Sequence, residues 1–141
     1  MIILDTNVIS EAWKIDPDPV VLSWLDSQSV ETLFLTTITV AELRFGIAAM
    51  PKGKRRTSYT NRLEQDVLPT FEGRVLSFDL GSSNAYGDLI ARARSKGKAI
   101  SKADGYIAAI AATSNLIVAT RDVSPFKAAG LKVINPWGLK H

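Results

Sequence analysis

Five short, largely apolar runs alternate with segments of helical periodicity, and this alternation constrains the fold more than any other feature. Apolar runs without polar alternation are typical of parallel strands that are buried on both faces. Alternation of strands with helices predicts right-handed crossovers and helices on both faces of a parallel sheet. We therefore expect one α/β domain over residues 1–141, with a central parallel sheet of about four to five strands. The runs cover residues 2–4, 33–36, 75–78, 116–120 and 132–135.

The segments between these runs predict the helices. Pro19 suits the first turn of a helix, while Pro51, Pro69 and Gly97 are stop signals. The basic run 52–56 is interpreted as a solvated loop in preference to a phosphate-contacting patch. The predicted helices cover about residues 6–13, 19–27, 38–50, 57–68, 80–96, 101–114 and a short stretch from 124 to 130.

Composition excludes several kinds of chemistry. The chain has no cysteine, so disulfides and thiolate metal sites are impossible, and its only histidine is the last residue, His141. A Ser-His-Asp or Cys-His arrangement and a His-rich zinc site are therefore disfavoured. No apolar run approaches the roughly 18 residues of a membrane span, and no basic segment precedes the first strand. We expect a cytoplasmic protein without a membrane partner, whose chemistry depends on carboxylates, hydroxyls and cations.

Four acids are placed to converge. Asp5 follows the first predicted strand and Asp122 follows the fourth, whereas Glu42 and Asp104 lie on predicted helices among apolar residues at helical spacing. The carboxyl ends of parallel strands meet at one edge of a sheet, where ligands of open α/β sheets bind. Acids on otherwise apolar helix faces are expected to point toward the core or a cleft. The sequence thus predicts an acidic pocket at this edge.

Each acid also has a structural explanation. Asp5 suits an N-cap, residues 39–42 and 101–104 both match a capping box, and Asp122 suits an Asx-turn. Four ionised carboxylates in one pocket would raise one another's pKa unless a cation neutralised them. A hard divalent ion with oxygen ligands does this, and Mg²⁺ or Mn²⁺ is favoured because thiolate and imidazole ligands are missing.

The acids lie in motifs that resemble those of PIN-domain ribonucleases. These motifs are Leu-Asp-Thr-Asn at 4–7, Thr-Val-Ala-Glu-Leu at 39–43, Asp-Gly-Tyr-Ile-Ala-Ala at 104–109 and Ala-Thr-Arg-Asp at 119–122. Residues 41–46 resemble the VapC-type toxins of type II toxin–antitoxin pairs, and residues 120–126 resemble their FitB-like branch. Many family members have Asn where Asp122 stands and an acid a few residues later. No acid follows Asp122 here, so it is the only candidate for the fourth position.

The resemblance implies an endoribonuclease, a hydrolase that cleaves RNA phosphodiester bonds with Mg²⁺ or Mn²⁺. Asp5 and Asp104 are the expected principal metal ligands. Glu42 and Asp122 would bind a second ion or hold metal-bound waters, and one of them could accept the proton of the attacking water. Thr6, Asn7 and Thr120 are candidates for orienting carboxylates or water, with capping and turn hydrogen bonds as an equally weighted alternative.

The resemblance also implies partners besides the RNA substrate. VapC-like toxins form homodimers and are inhibited by a cognate antitoxin that carries a DNA-binding domain. The antitoxin tail lies in a groove beside the active site. The helices around Trp13, Trp24, Phe45 and Tyr59 could supply an apolar groove, although core packing is the more frequent fate of such aromatic residues.

Charge is compatible with a polyanionic substrate. The chain has 17 basic and 14 acidic residues, a net charge of +3, and setting the four pocket acids aside leaves 17 basic against 10 acidic residues, or +7. No signature of a sequence-reading RNA module is present. A solvated surface is the preferred interpretation of each basic side chain alone, and the candidate phosphate contacts are Arg44, Arg92, Arg94, Lys96, Lys98 and Lys102.

Two other classes of function remain open. An acidic-pocket phosphatase of the haloacid dehalogenase kind would have a second Asp where Asn7 stands, and a receiver domain would have paired acids early in the chain. A non-catalytic module that binds RNA or a regulatory partner would not need all four acids. A nuclease therefore remains the preferred prediction.

Overall fold

The computed structural model describes residues 1–138, so His141 lies outside the described residues. A five-stranded sheet forms the centre, and all of its strand pairs are parallel. This confirms the predicted sheet. The strands are β1 (Ile2–Leu4), β2 (Leu33–Thr36), β3 (Val75–Leu76), β4 (Ile117–Ala119) and β5 (Val133–Ile134), in the order β3-β2-β1-β4-β5.

The helices lie where the alternation predicted them, with small shifts at their ends. None of the helices within residues 1–138 is long and apolar enough to cross a membrane. Short 3-10 turns cover Val30–Thr32 and Pro136–Gly138. The α-helices are α1 (Thr6–Ala12), α2 (Pro19–Ser27), α3 (Thr37–Ala48), α4 (Lys54–Asn61), α5 (Leu68–Thr70), α6 (Leu80–Ser95), α7 (Lys102–Ser114) and α8 (Ser124–Ala128).

Both boundaries of the helix predicted over about residues 57–68 are wrong. The helix expected to begin near residue 57 begins at Lys54, directly after Gly53, so three residues of the basic run are helical rather than in a loop. Lys and Arg are good helix formers, and a run of like charge does not by itself prevent a helix. A π-helical segment, Arg62–Val67, joins α4 to α5, and Pro69 lies inside the final turn instead of ending the helix before it.

Helices cover both faces of the sheet, as the apolar strands require. Side chains of β1 alternate between two hydrophobic clusters: Ile2 and Leu4 pack in one, while Ile3 packs in the other. The first cluster includes residues of α1, α2 and α3, and the second includes residues of α6, α7 and α8. β1 is therefore buried on both faces.

The strand order determines where a site can form. The chain passes from β1 to β2 and β3 in one direction, and β4 then pairs on the other side of β1, with Leu4 opposite Ala119. Where the order of the strands in a parallel sheet reverses, a crevice forms beyond the carboxyl ends of the two adjacent strands. Asp5 lies at the base of this crevice, directly after β1, and its backbone N–H donates to the carbonyl of Ala119 at 3.0 Å.

Candidate active site

A pocket of about 410 Å³ lies beyond the carboxyl ends of β1 and β4. All four predicted acids line this acidic pocket: Asp5, Glu42, Asp104 and Asp122. Two strand ends and two helices, α3 and α7, bring them together across most of the chain. The predicted convergence is therefore present. Thr6 and Asn7 also line the pocket, together with Ser10, Glu11, Lys14, Arg121 and Trp137.

Asp5 is the most enclosed of the four acids, with 6% of its surface exposed. It is the N-cap of α1, and its Oδ1 accepts a hydrogen bond from the backbone N–H of Thr6 at 2.8 Å. The pKa of Asp5 is raised to about 6, mainly by burial. Hydrogen bonds from Thr120 and Thr6 oppose this rise, and the charges of Asp104 and Glu42 add to it. The capping role and the pocket role of Asp5 therefore coexist.

Thr120 links the ends of the two central strands. Its buried hydroxyl donates to Oδ2 of Asp5 at 2.8 Å and accepts from the side-chain amide of Asn7 at 3.2 Å. The same hydroxyl accepts from the backbone N–H of Asp122 at 3.1 Å. The turn at this point is therefore made by the threonine side chain and not by an Asx-turn of Asp122, whose exposed carboxylate faces the pocket.

Glu42 lies in α3, which starts earlier than predicted. The N-cap is Thr36, whose hydroxyl accepts from the backbone N–H of Thr39 at 3.1 Å, so the capping box predicted at 39–42 is wrong. Oε1 of Glu42 instead accepts the hydroxyl of Thr6 at 2.7 Å. The apolar stripe proposed for this helix also fails, because Phe45 is 68% exposed and Glu42 itself is exposed at the pocket wall.

Asp104 lies in the first turn of α7, where Ser101 is the N-cap and accepts from the backbone N–H of Asp104 at 3.2 Å. Burial raises the pKa of Asp104, the Ser101 hydrogen bond lowers it, and the charge of Asp122 raises it. The next residue, Gly105, packs against α6: a Cβ there would lie 2.9 Å from the ring of Tyr86. The close approach of α7 to α6 fixes where Asp104 emerges.

The oxygen donors suit a hard divalent ion, but they do not form a closed chelate. Within residues 1–138, no three acidic, histidine or cysteine side chains are grouped so that all of them could hold one ion. The acids nevertheless influence one another, Asp5 with Asp104 and Glu42, and Asp104 with Asp122. Mg²⁺ commonly binds through one or two carboxylates and keeps several waters. An open pocket of mutually repelling carboxylates fits that mode of binding.

Five residues that line the pocket were not predicted from the sequence: Ser10, Glu11, Lys14, Arg121 and Trp137. Glu11 is only 4% exposed, and Lys14 donates to its Oε1 at 3.0 Å, which lowers the pKa of Glu11. Asn7, Glu11 and Lys14 have helical spacing, so a shared face of the first helix was a usable signal. Arg121 adjoins Asp122, whereas Trp137 reaches the pocket only because the chain returns beside β4 through β5.

The predicted apolar groove is only partly correct. Trp13 and Tyr59 lie with ring centroids 5.7 Å apart and line an apolar groove of about 200 Å³ beside the acidic pocket, with Leu43, Ile47 and Met50. Trp24 is 6% exposed and packs in the core, because the amphipathic face of α2 turns inward. Phe45 lies on a different surface with Ile38 and Tyr106.

None of the six candidate phosphate contacts, all within the described residues, lines the acidic pocket. The guanidinium of Arg44 forms an ion pair with Glu64 at 3.0 Å, although both side chains remain partly exposed. Arg94 and Lys98 line a separate cavity at the end of α6, and Lys102 lines the surface around Phe45. In the part of the chain that the structure describes, the cations lining the acidic pocket are Lys14 and Arg121.

Comparison with known proteins gives consistent results. The family model described as PIN domain matches residues 2–131. The chain is 65% identical over 137 residues to VapC ribonuclease Y4jK of Sinorhizobium fredii, covering 97% of this chain and 98% of that protein. It is 49% identical over 137 residues to Toxin FitB of Neisseria gonorrhoeae, covering 97% of this chain and 99% of that protein.

Solved structures agree. The crystal structure of FitAcB from Neisseria gonorrhoeae matches with a TM-score of 0.96 and 49% identity, over 99% of this chain and 100% of that chain. A structure of FitAB bound to an IR36 DNA fragment matches with a TM-score of 0.96 and 47% identity, over 100% of this chain and 99% of that chain. The resemblance drawn from the acidic motifs is confirmed, and the chain belongs to the PIN-domain family.

Proposed function

We propose that this chain is a metal-dependent endoribonuclease and the toxin of a type II toxin–antitoxin pair. The observation that carries the proposal is the convergence of Asp5, Glu42, Asp104 and Asp122 on one pocket at the carboxyl edge of the sheet. A relative that is 65% identical is named a VapC ribonuclease, which supports cleavage of RNA in preference to small phosphate esters.

The four acids would hold Mg²⁺ or Mn²⁺. Asp5 and Asp104 are the proposed principal ligands, because Asp5 is buried, Asp104 is half-buried, and burial raises the pKa of each. Glu42 and Asp122 are more exposed and would hold metal-bound waters or a second ion. When bound, the ion lowers the pKa of an attacking water and stabilises charge on the phosphoryl oxygens.

The residues of the chain contribute orientation and a proton acceptor. Thr120 holds one oxygen of Asp5 and the backbone N–H of Thr6 holds the other, which leaves the carboxylate in one orientation. The hydroxyl of Thr6 does the same for Glu42. The exposed carboxylates of Glu42 and Asp122 can accept the proton that water loses as it attacks the phosphorus atom.

The test is incubation of a mixed RNA pool with the purified chain in Mn²⁺ and in EDTA, with cut sites mapped. We expect cleavage at defined sites in Mn²⁺ and none in EDTA. p-Nitrophenyl phosphate in parallel separates the alternatives. A phosphatase would hydrolyse the monoester and spare RNA, whereas a binding module would retain RNA without cleaving it in either condition. Either result would contradict the proposal.

We infer that a cognate antitoxin with a DNA-binding domain docks on the apolar groove defined by Trp13, Leu43, Ile47, Met50 and Tyr59. The groove shares Thr6, Ser10 and Glu42 with the acidic pocket, so a segment lying in it would cover the entrance to the site. Similar solved structures include a FitAB complex bound to DNA, which supports a partner of this kind.

Co-purification with the adjacent gene product tests this assignment. Ile47→Asp should abolish co-purification while RNA cleavage persists, because a buried charge would disrupt an apolar contact. Leu80→Asp is the matched control, since Leu80 is 88% exposed on α6 and does not line the groove. Equal loss of co-purification in both variants would contradict a specific role for the groove.

We also propose a homodimer that covers the surface around Phe45. Phe45 is 68% exposed and lies beside Ile38 and Tyr106, an apolar combination that a second copy would remove from water. Light scattering coupled to size exclusion should give a dimer mass for the natural chain and a monomer mass for Phe45→Glu. A monomer mass for both would contradict this proposal.

A further inference from the structure

One of the two cations that line the acidic pocket forms no ion pair within residues 1–138. Lys14 and Arg121 both line the pocket, but the ammonium of Lys14 is paired with Glu11 at 3.0 Å. Among the described residues, the ion pairs are Lys14–Glu11 and Arg44–Glu64, so Arg121 forms neither of them. An exposed guanidinium at the wall of an acid-lined pocket calls for a ligand or for a structural explanation.

The side chain of Arg121 rests on an aromatic platform. Its guanidinium carbon lies 5.4 Å from the ring centroid of Trp137, which is within the range of a cation–π contact. A cation–π contact uses the charge of the guanidinium and no hydrogen-bond acceptor, so the N–H groups remain available to donate. The contact therefore restricts the side chain without using its hydrogen-bonding capacity.

The side chain and the backbone of Trp137 are both held by hydrogen bonds. The indole N–H of Trp137 donates to Oε1 of Glu11 at 3.3 Å, and its backbone N–H donates to the side chain of Asn135 at 3.0 Å. Glu11 is 4% exposed, and its second oxygen accepts the backbone N–H of Asp18 at 3.2 Å. A continuous set of contacts thus runs from a buried carboxylate on α1 through an indole to a cation in the pocket.

The backbone of Arg121 is held as well. Its N–H donates to Oδ1 of Asn7 at 3.4 Å, and its neighbours Thr120 and Asp122 are joined by the hydrogen bond described above. Both the backbone and the side chain of this residue are therefore positioned by groups that line or support the pocket. Such ordering of a long cationic side chain has an entropic cost, which binding of an anion would offset.

We propose that Arg121 binds the non-bridging oxygens of an RNA phosphate at the acidic pocket, with Trp137 and Glu11 as positioning residues. This inference rests on the proposed ribonuclease function and deepens it. A pocket lined by carboxylates repels a polyanion, and a fixed guanidinium at its wall reduces that repulsion where the substrate must enter. The planar fork of a guanidinium also matches two phosphate oxygens.

Steady-state cleavage of a single-stranded RNA in Mn²⁺, measured over a range of salt concentrations, tests the role of Arg121. Arg121→Ala should raise KM roughly tenfold, because a hydrogen-bonded charge contact is lost. The slope of log(kcat/KM) against log[salt] should fall by roughly 0.7, the value for one phosphate contact on a single strand. Lys132→Ala is the matched control. This exposed lysine lies at the amino end of β5, whereas the pocket lies beyond the carboxyl ends of the strands, so neither KM nor the salt slope should change.

Conservative variants separate positioning from a general loss of structure. Arg121→Lys should restore the salt slope, since the charge remains, but not KM, since the planar fork is lost. Trp137→Phe keeps an aromatic ring and removes the N–H that reaches Glu11, so KM should rise about threefold with the salt slope unchanged. Glu11→Gln keeps an acceptor for the indole and should change KM less than Trp137→Phe does.

Two results would overturn the inference. The first is an Arg121→Ala variant that cleaves RNA with the same KM and the same salt slope as the natural chain. The second is tighter Mn²⁺ binding in Arg121→Ala with unchanged KM, which would mean that the guanidinium only neutralises the acids. Both leave the proposed function standing. Absence of RNA cleavage by the natural chain is the distinct result that removes the function and this inference together.

Discussion

The hydroxyl of Thr120 donates to Oδ2 of Asp5 at 2.8 Å, across a sequence separation of 115 residues. Thr120 follows β4 and Asp5 follows β1, and the order of the strands in the sheet reverses between these two neighbours. The bond fixes the carboxylate in the pocket and lowers the pKa of Asp5 against the effects of burial and of neighbouring acids. The proposed metal site therefore depends on a threonine that need not touch the metal.

Thr120→Val should weaken metal binding while it preserves the shape of the side chain. The variant loses the donor to Asp5 and leaves the amide of Asn7 and the backbone N–H of Asp122 without their acceptor. Loss of such supporting hydrogen bonds typically reduces metal affinity or activity by roughly 10- to 100-fold. Calorimetric titration with Mn²⁺ measures the change, and Thr120→Ser, which keeps the hydroxyl, should stay close to the natural affinity.

Asp5→Asn should reduce RNA cleavage by about 100-fold or more, because a bound metal contributes several kcal/mol to phosphoryl transfer. The fold should persist, since the amide oxygen of Asn can still cap α1. Circular dichroism checks the fold, and Asp26→Asn, an exposed change on α2 that does not line the pocket, is the control. Unfolding of Asp5→Asn with undiminished activity per folded molecule would show that Asp5 serves only as a cap.

In EDTA, the contribution of Asp5 to the free energy of unfolding should fall as pH rises from about 4 to about 6. The carboxyl of Asp5 has a pKa near 6 when folded and near 3.8 as a free group, so the unfolded chain releases this proton first. The loss is at most about 3 kcal/mol. Urea unfolding of the natural chain and of Asp5→Asn isolates the effect, because Glu11 and Asp79, whose pKa values are lowered by hydrogen bonds, are common to both. A pH-independent difference between the two proteins would refute this prediction.

Metal affinity should fall as pH drops below about 6. A divalent ion must displace the proton that Asp5 holds below its pKa, so affinity should decrease by roughly tenfold for each pH unit in that range. Above pH 7, where Asp5 is ionised, affinity should become nearly independent of pH. Mn²⁺ titrations at pH 5, 6 and 7.5 give the profile, and constant affinity between pH 5 and 6 would exclude Asp5 as a ligand.

The sheet was predictable because its strands are short, apolar and separated by clear helix signals. A strand such as β1, with Ile2, Ile3 and Leu4 all buried, has no other plausible role in a chain of this size. Local signals conflict at the start of α4, because the charge of Lys54–Arg56 favours a solvated loop whereas the propensity of Lys and Arg favours a helix. Helix boundaries depend on the balance of such weak preferences.

The convergence of Asp5 and Asp122 on one pocket was predictable from strand topology, since these residues follow neighbouring strands. The inward stripe assigned to α3 was wrong because an apolar helix face can remain on the surface, as Phe45 shows. Glu11 and Trp137 meet through a contact 126 residues apart in sequence, and periodicity does not report contacts of that kind. The contacts that support the pocket are tertiary, whereas Asp5 and Asp122 follow β1 and β4 in the sequence itself.

Anomalous diffraction from crystals grown with Mn²⁺ at pH 7.5 tests the metal site most directly. We expect an anomalous peak in the acidic pocket, bound by carboxylate oxygens of Asp5 and Asp104 and lost in Asp104→Asn. Exposed carboxylates elsewhere, such as Asp26, should show none. An enzyme that cleaves RNA in the same Mn²⁺ buffer while its pocket shows no peak would contradict the assignment of these carboxylates as the metal site.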